Sequence, residues 1–246
     1  MKERIVIKVG TSTLLGSDEQ PSSTFEKVAQ SVDALCETYD VILVTSGAIG
    51  FGVRQLGLAA RPTEVATLQA LASLGQVGLM ERWHQAMGDR LVGQVLLTAH
   101  DLSQPESVNA LRATFHALWQ QGIVPVVNEN DTVTSDEITF GDNDTLAALV
   151  AGTCEASVLV FLTDQDGVQQ DFGTNEQSRL ARVTLSDARS HIRAGGTEHS
   201  RGGIDSKLLA ASVALVRGCD VYIGHAATAG ATESALAGQT GTKIIQ

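Results

Sequence analysis

The sequence predicts an α/β protein, a three-layer αβα sandwich around a mainly parallel central sheet, in one domain over residues 1–246. Three observations predict it. Short Val- and Ile-rich runs alternate with segments whose apolar residues recur at every third and fourth position, an order that requires crossovers between parallel strands. Aromatic residues make up only 4% against 43% hydrophobic, so the core is aliphatic, as suits a sheet buried on both faces. The 24 glycines and 4 prolines fit many short strand-to-helix turns.

The elements follow in order. RIVIKV (4–9) is a strand, and Phe25, Val28, Ala29, Val32, Leu35 and Cys36 mark an amphipathic helix over 24–38. VILVT (41–45) is a second strand, followed by a helical region over 63–87 with few breakers and a strand LVGQVLLT (91–98). A helix over about 105–121, a strand IVPVV (123–127), a helix over 143–153 and a buried strand SVLVFLT (157–163) come next. The chain closes with a helix over about 204–217, a strand DVYIG (220–224), and a last helix and strand around 231–245. The stretch 165–203, rich in Gln, Gly, Ser and Arg, is the best candidate for a mobile excursion or lid rather than a domain boundary.

A net charge of -11 argues against general affinity for nucleic acid or an anionic membrane, since both need a positive field. Cys36, Cys154 and Cys219 are odd in number and far apart, and read as small buried hydrophobes in a reducing compartment. MKERIVIKVG is too short and too charged for a signal peptide, and no apolar run approaches ~18 residues, so a cytoplasmic location is expected.

In open α/β sheets ligands sit beyond the carboxyl ends of the strands, so the turns there come first. Lys8, near the end of an apolar strand, needs an anionic partner or a route to solvent, and Gly10 after it allows close backbone approach. The P-loop and dinucleotide fingerprints are both absent, and a lysine snorkelling at a strand end is the competing reading. Ser46-Gly47-Ala48 opens a helix, where N–H groups attract anions, although Ser46 is equally a plain cap. Gly202-Gly203 followed by Lys207, with Arg201 beside them, repeats that logic, against the alternative of a flexible loop and a solvated lysine.

The densest carboxylate stretch is NENDTVTSDEITFGDNDT, from 128 to 145. Asp142-Asn143-Asp144 precedes a helix and supplies its cap, while Asp136 and Glu137 read as a solvated loop. Capping leaves Asn128-Glu129-Asn130-Asp131 unexplained, and the spacing is not that of a calcium loop. Two lysines and exposed N–H groups beside a cation-seeking cluster match a zwitterionic amino acid next to Mg-ATP, its ammonium on Asp131.

KVGTSTL, VTSGAIG, VPVVNENDTV, FGDNDTLAALVA, LTDQDGV and GGIDSKL, in this order over nearly the whole chain, resemble the amino acid kinase family. The NEND and GDND elements point to its glutamate 5-kinase branch. The resemblance implies the αβα fold of that family and ATP-dependent phosphorylation of the side-chain carboxylate of L-glutamate, the first step of proline biosynthesis. It further implies Mg2+ carried mainly on ATP phosphates with no protein metal site, feedback inhibition by proline, and a homo-oligomer, dimer or tetramer. Hand-over of product to glutamate-5-semialdehyde dehydrogenase belongs to the same expectation. By motif match, Lys8, Lys207, Asp142 and Asp144 would be catalytic, with Asp144 organising the lysines. Ser46, Gly47, Asn128, Asp131 and Asn143 would bind glutamate. Lys8, Gly10, Thr163, Asp164, Arg201, Gly202, Gly203, Ile204, Asp205, Ser206 and Lys207 would bind ATP. Arg201 and Ser206 stand where the family commonly has threonine, which bears on the geometry of the phosphate loop. Many bacterial members continue into a C-terminal domain of a type associated with RNA binding, so a short form or a truncated chain is expected. Competing readings are a kinase of the same fold for aspartate, N-acetylglutamate, carbamate or a nucleoside monophosphate, and a non-catalytic amino acid sensor. A dinucleotide-dependent oxidoreductase suffers from the missing glycine fingerprint.

Overall fold

The computed structural model describes residues 2–16, 23–134, 143–171, 174–195, 198–228 and 230–246, with the backbone alone considered over 192–195 and 198–203. In chain order the elements are β1 (Glu3–Val9), α1 (Thr11–Leu15), α2 (Thr24–Leu35), β2 (Tyr39–Val44), α3 (Ala48–Gln55), α4 (Val65–Met87) and β3 (Val92–Leu97). Then follow α5 (Ala99–Ser103), α6 (Pro105–Gln120), β4 (Val124–Glu129), α7 (Asn143–Thr153), β5 (Val158–Thr163), β6 (Gln169–Gln170) and β7 (Ser178–Arg179). The remainder is β8 (Arg182–Thr184), α8 (Leu185–Gly195), α9 (Glu198–Val216), β9 (Asp220–His225), α10 (Ala231–Leu236) and β10 (Thr242–Ile245).

Eight strands form one sheet in the order β3-β4-β2-β1-β5-β9-β10-β8, and the pairs from β3 to β9 are all parallel. Only β10 runs antiparallel to its neighbour β9, with β8 parallel to β10 at that edge. Alternation along each strand sends side chains to two apolar cores. Ile5, Ile7 and Val9 of β1 pack with Phe25 and Val32 of α2 and with Leu79 and Trp83 of α4. Val6 packs with Phe115 of α6, Ala147 and Val150 of α7, and Leu208 and Ala211 of α9. Helices therefore cover both faces, the three-layer arrangement the alternating pattern predicts.

Two differences from the sequence reading place the site. Strand β4 continues two residues beyond the expected end, so Asn128 and Glu129 are buried strand residues rather than members of a loop. The ladder to β3 explains this, because Asn128 and Glu129 lie in register with Leu96 and Leu97. Helix α9 starts at Glu198, so Arg201, Gly202 and Gly203 lie in its first turns instead of a loop ahead of it. Each glycine there costs roughly 0.5–1 kcal/mol relative to alanine.

Helices α3 and α4 cross at unusually close range. A Cβ at Gly75 would collide with the carbonyl oxygen of Ala48 and the amide nitrogen of Gly52, and one at Gly52 with the carbonyl of Leu71. At the far edge, Asp166, Val168, Leu180 and β8 of the excursion are tied to β10 and the glycine before it. Asp166 Oδ1 accepts from the Gly241 amide at 2.6 Å, and Thr242 Oγ1 donates to the Leu180 carbonyl at 2.6 Å while accepting from the Val168 amide at 2.8 Å. No helix among the described residues is long and apolar enough to cross a membrane.

Candidate active site

The carboxyl ends of β1, β2, β4 and β5 meet the N-terminus of α7 and the front of α9. Lys8 occupies a β1 position whose alternation points it to the α7 and α9 side, the face opposite Ile7 and Val9. It is 4% exposed, and its Nζ lies 2.6 Å from Asp144 Oδ1. The other carboxylate oxygen, Oδ2, meets Lys207 Nζ at 3.1 Å and accepts from Ser206 Oγ at 3.0 Å. Asp144 is fully buried in the first turn of α7. A lone carboxylate there would be costly, and the two ammonium groups, together with the helix N-terminus, supply the positive field that keeps it. Residues 8, 144 and 207, distant in sequence, thus converge on one charge.

A second cluster, built from amides, adjoins the first. Asn143 Nδ2 donates to the Thr45 carbonyl at 2.8 Å and to Asn128 Oδ1 at 2.9 Å, and lies 2.7 Å from Ser46 Oγ. Asn128 Nδ2 donates to Gln76 Oε1 at 2.8 Å, and Gln76 Nε2 donates to Gln94 Oε1 at 3.1 Å. Thr45 Oγ1 in turn accepts from Trp83 Nε1 at 2.9 Å, which satisfies the indole of a fully buried tryptophan. Gly47, with φ at 114°, is the N-cap of α3 and turns the chain between Ser46 and the helix in a conformation that favours glycine.

The third group is acidic. Glu129 ends β4 in a buried position, and burial first, then the charge of Asp131, raises its pKa from 4.5 to about 7. Burial likewise raises Asp131, opposed by the positive charge of Arg61. Among the described residues neither carboxylate has an ion-pair partner within 4 Å. No group of three or more His, Cys, Asp or Glu among the described residues is arranged to hold a metal ion.

Of the residues singled out from sequence, Lys8, Ser46, Asn128, Asn143, Asp144, Ser206 and Lys207 are joined by the contacts above. Gly10 is the N-cap of α1. Thr163 ends β5, where its hydroxyl accepts from the Gln165 amide at 2.8 Å and fixes the turn that leaves Asp164 exposed. Ile204 packs partly against the core of the α7 side, and Asp205 is exposed on α9. Asp142, Asp136 and Glu137 lie outside the described residues. Sequence reasoning missed Gln76 and Gln94. A signal for Gln76 existed, since it shares the buried face of α4 with Leu68, Leu71, Ala72, Gly75 and Leu79, where an amide is out of pattern.

The amino acid kinase family model matches residues 3–225 of the chain. The chain belongs to the amino acid kinase family. Within the family it is 40% identical over 232 residues, 90% of its length, to a glutamate 5-kinase of Pseudomonas savastanoi pv. phaseolicola. A glutamate 5-kinase of Stutzerimonas stutzeri is 40% identical over 230 residues, 89% of the chain. The chain spans 62% and 61% of the length of these two relatives. Among solved structures, the carbamate kinase from Giardia lamblia bound to AMP-PNP superposes with a TM-score of 0.68 at 15% identity, covering 99% of this chain and 98% of that one. An N-acetylglutamate synthase from Neisseria gonorrhoeae gives 0.70 at 20% identity, over 99% of this chain and 59% of that one. Both share the αβα amino acid kinase fold with this chain.

Proposed function

We propose that the chain transfers the γ-phosphoryl group of Mg-ATP to the side-chain carboxylate of L-glutamate. The observation that carries the reading is the convergence of Lys8 and Lys207 on the buried carboxylate of Asp144, beside a second pair of carboxylates, Glu129 and Asp131, that have no ion-pair partner among the described residues. The relatives named glutamate 5-kinase support the choice of substrate.

The acceptor is ionised at neutral pH and needs no general base. The difficulty is charge: two unit anions 4 Å apart repel by about 4 kcal/mol at an effective dielectric near 20. Lys8 and Lys207 offset this by lying on the transferring phosphoryl group, and Asp144 holds the two ammonium groups, one on each carboxylate oxygen. Asp131, Glu129 and Asn143 receive the substrate ammonium, and Ser46 binds its carboxylate end. Thr163, Asp164 and the α9 front from Arg201 to Lys207 hold the nucleotide, with Gly202 and Gly203 letting that turn open around phosphate. Both Asp144 oxygens already meet ammonium groups, so Asp144 does not fit as a metal ligand, and Mg2+ enters on the nucleotide. Proline as feedback inhibitor, assembly into a dimer or tetramer, and hand-over to a dehydrogenase acting on the acyl phosphate extend the same proposal.

The test is incubation with Mg-ATP, hydroxylamine and a panel of amino acids. γ-Glutamyl hydroxamate is the expected product. Its absence with L-glutamate, while aspartate or N-acetylglutamate is trapped, refutes the assignment.

A further inference from the structure

The amide chain running Gln94, Gln76, Asn128, Asn143 has a direction, and that direction is decided at one end. The Thr45 carbonyl can only accept, so the Asn143 atom 2.8 Å from it is Nδ2. Asn128 must then turn its Oδ1 to Asn143, which places its Nδ2 on Gln76 Oε1, which in turn places Gln76 Nε2 on Gln94. At the head of the chain Asn143 Oδ1 is buried and has no hydrogen-bond partner among the described residues. A buried amide oxygen without a donor is costly, and this one belongs to the side chain whose Nδ2 meets Ser46 and Asn128, the residue before Glu129. Among these side chains Gln76 is 9% and Asn128 2% exposed, whereas Gln94 is exposed on the edge strand β3.

We infer that Gln76, on α4 and one residue removed from the substrate contacts, is a positioning residue: by accepting from Asn128 it locks the Asn128 and Asn143 amides so that Asn143 presents an acceptor, Oδ1, to an N–H donor of the amino acid substrate. The inference rests on the proposed function for the identity of that substrate. Its second consequence is selectivity for donors. A ligand presenting an oxygen at that point meets another oxygen, and the chain cannot invert to suit it without breaking the bond to Thr45.

Gln76→Met keeps the length and helix propensity of the side chain and removes the acceptor, and Gln76→Asn keeps the amide but withdraws it by a methylene. Gln76→Glu retains an oxygen for Asn128 Nδ2, and the exposed Gln94 can turn its amide to donate to the other oxygen. These variants and the wild type are compared in the hydroxamate assay, varying glutamate at saturating Mg-ATP and then the reverse. Met and Asn are expected to raise KM for glutamate about tenfold, with kcat and KM for ATP within about twofold, and Glu to bring the glutamate KM back within about threefold. The inference is overturned by a folded Met or Asn variant whose glutamate KM stays within about twofold of wild type, by an equal rise in KM for ATP, or by Glu rescuing nothing. Loss of folding in both, with the Glu variant folded, assigns Gln76 to stability alone and overturns it as well. A wild-type chain that forms no γ-glutamyl hydroxamate refutes the proposed function instead. Gln76 is then tested through the Kd of whichever amino acid of the panel raises the wild-type Tm, with the same order of variants expected.

Discussion

Replacing Asp144 by asparagine isolates what the central carboxylate does. The side chain keeps its shape and is fully buried, so packing changes little on substitution. Its charge, however, faces Lys8 at 2.6 Å and Lys207 at 3.1 Å. Asparagine can accept from one ammonium group through its oxygen, and its Nδ2 then confronts the other with a second donor. Removing one partner of a buried pair costs about 3–5 kcal/mol. For a domain of this size each kcal/mol lowers Tm by roughly 2–4 °C, so D144N is expected to melt roughly 6–20 °C below wild type in the absence of ligands. Raising salt should recover little of this, because a buried pair is poorly screened. The lysines also lose the shared anion that holds them in place, and kcat in the hydroxamate assay is expected to fall by about 10²–10³. Differential scanning fluorimetry and far-ultraviolet circular dichroism separate the stability effect from misfolding. A D144N protein with native circular dichroism, Tm within about 2 °C and kcat within about fivefold of wild type would refute the shared role of Asp144, given the magnitudes above.

Three other outcomes follow from the same geometry. Lys8→Ala should lower kcat by on the order of 10² while KM for glutamate moves less than about threefold, and near-normal turnover removes Lys8 from the phosphoryl site. Asp131→Asn should raise KM for glutamate by about 10- to 100-fold, as expected for a lost charge-assisted bond to the ammonium, and unchanged KM places the ammonium elsewhere. Glu129 binds its proton more tightly folded, with a pKa of about 7, than unfolded, at 4.5. Stability is therefore lost as pH rises from about 4.5 through 7, and Glu129→Gln should flatten that fall and melt higher than wild type at about pH 8. Parallel Tm curves for the two proteins between about pH 5 and 8 contradict this assignment.

The fold was legible because its causes are local and repeated. Strands β1, β2 and β5 each carry a run of buried apolar residues, and α2 carries an apolar stripe, so the pattern alone reveals both kinds of element. Lys8 was legible for the opposite reason: it is the polar exception in an apolar strand, and its burial demands a partner that only chemistry supplies. The end of β4 was not legible, since Asn128 and Glu129 belong to the strand through bonds to β3 some thirty residues away, and neither residue favours a strand on its own. The front of α9 escaped for a related reason, as paired glycines ordinarily end or precede a helix. Gln76 and Gln94 acquire meaning only when α4 and β3 bring them together, a contact that no spacing encodes.

The close crossing of α3 and α4 bears on how the substrate pocket could be altered in evolution or by design. The two helices touch backbone to backbone at Gly52 and Gly75, so at those two points there is no side chain whose size could be tuned. Ser46 and Gly47 sit on the strand-to-helix turn that leads into α3, and Gln76 follows Gly75 on α4, so the pocket wall from both sides is pinned by one contact. Widening the pocket by sliding α3 would tear that contact apart as a unit. New chemistry at the proposed site therefore has to come from its other residues, above all from β4 and the turn after it, while the crossing holds the Ser46-Gly47 turn and Gln76 in fixed relation.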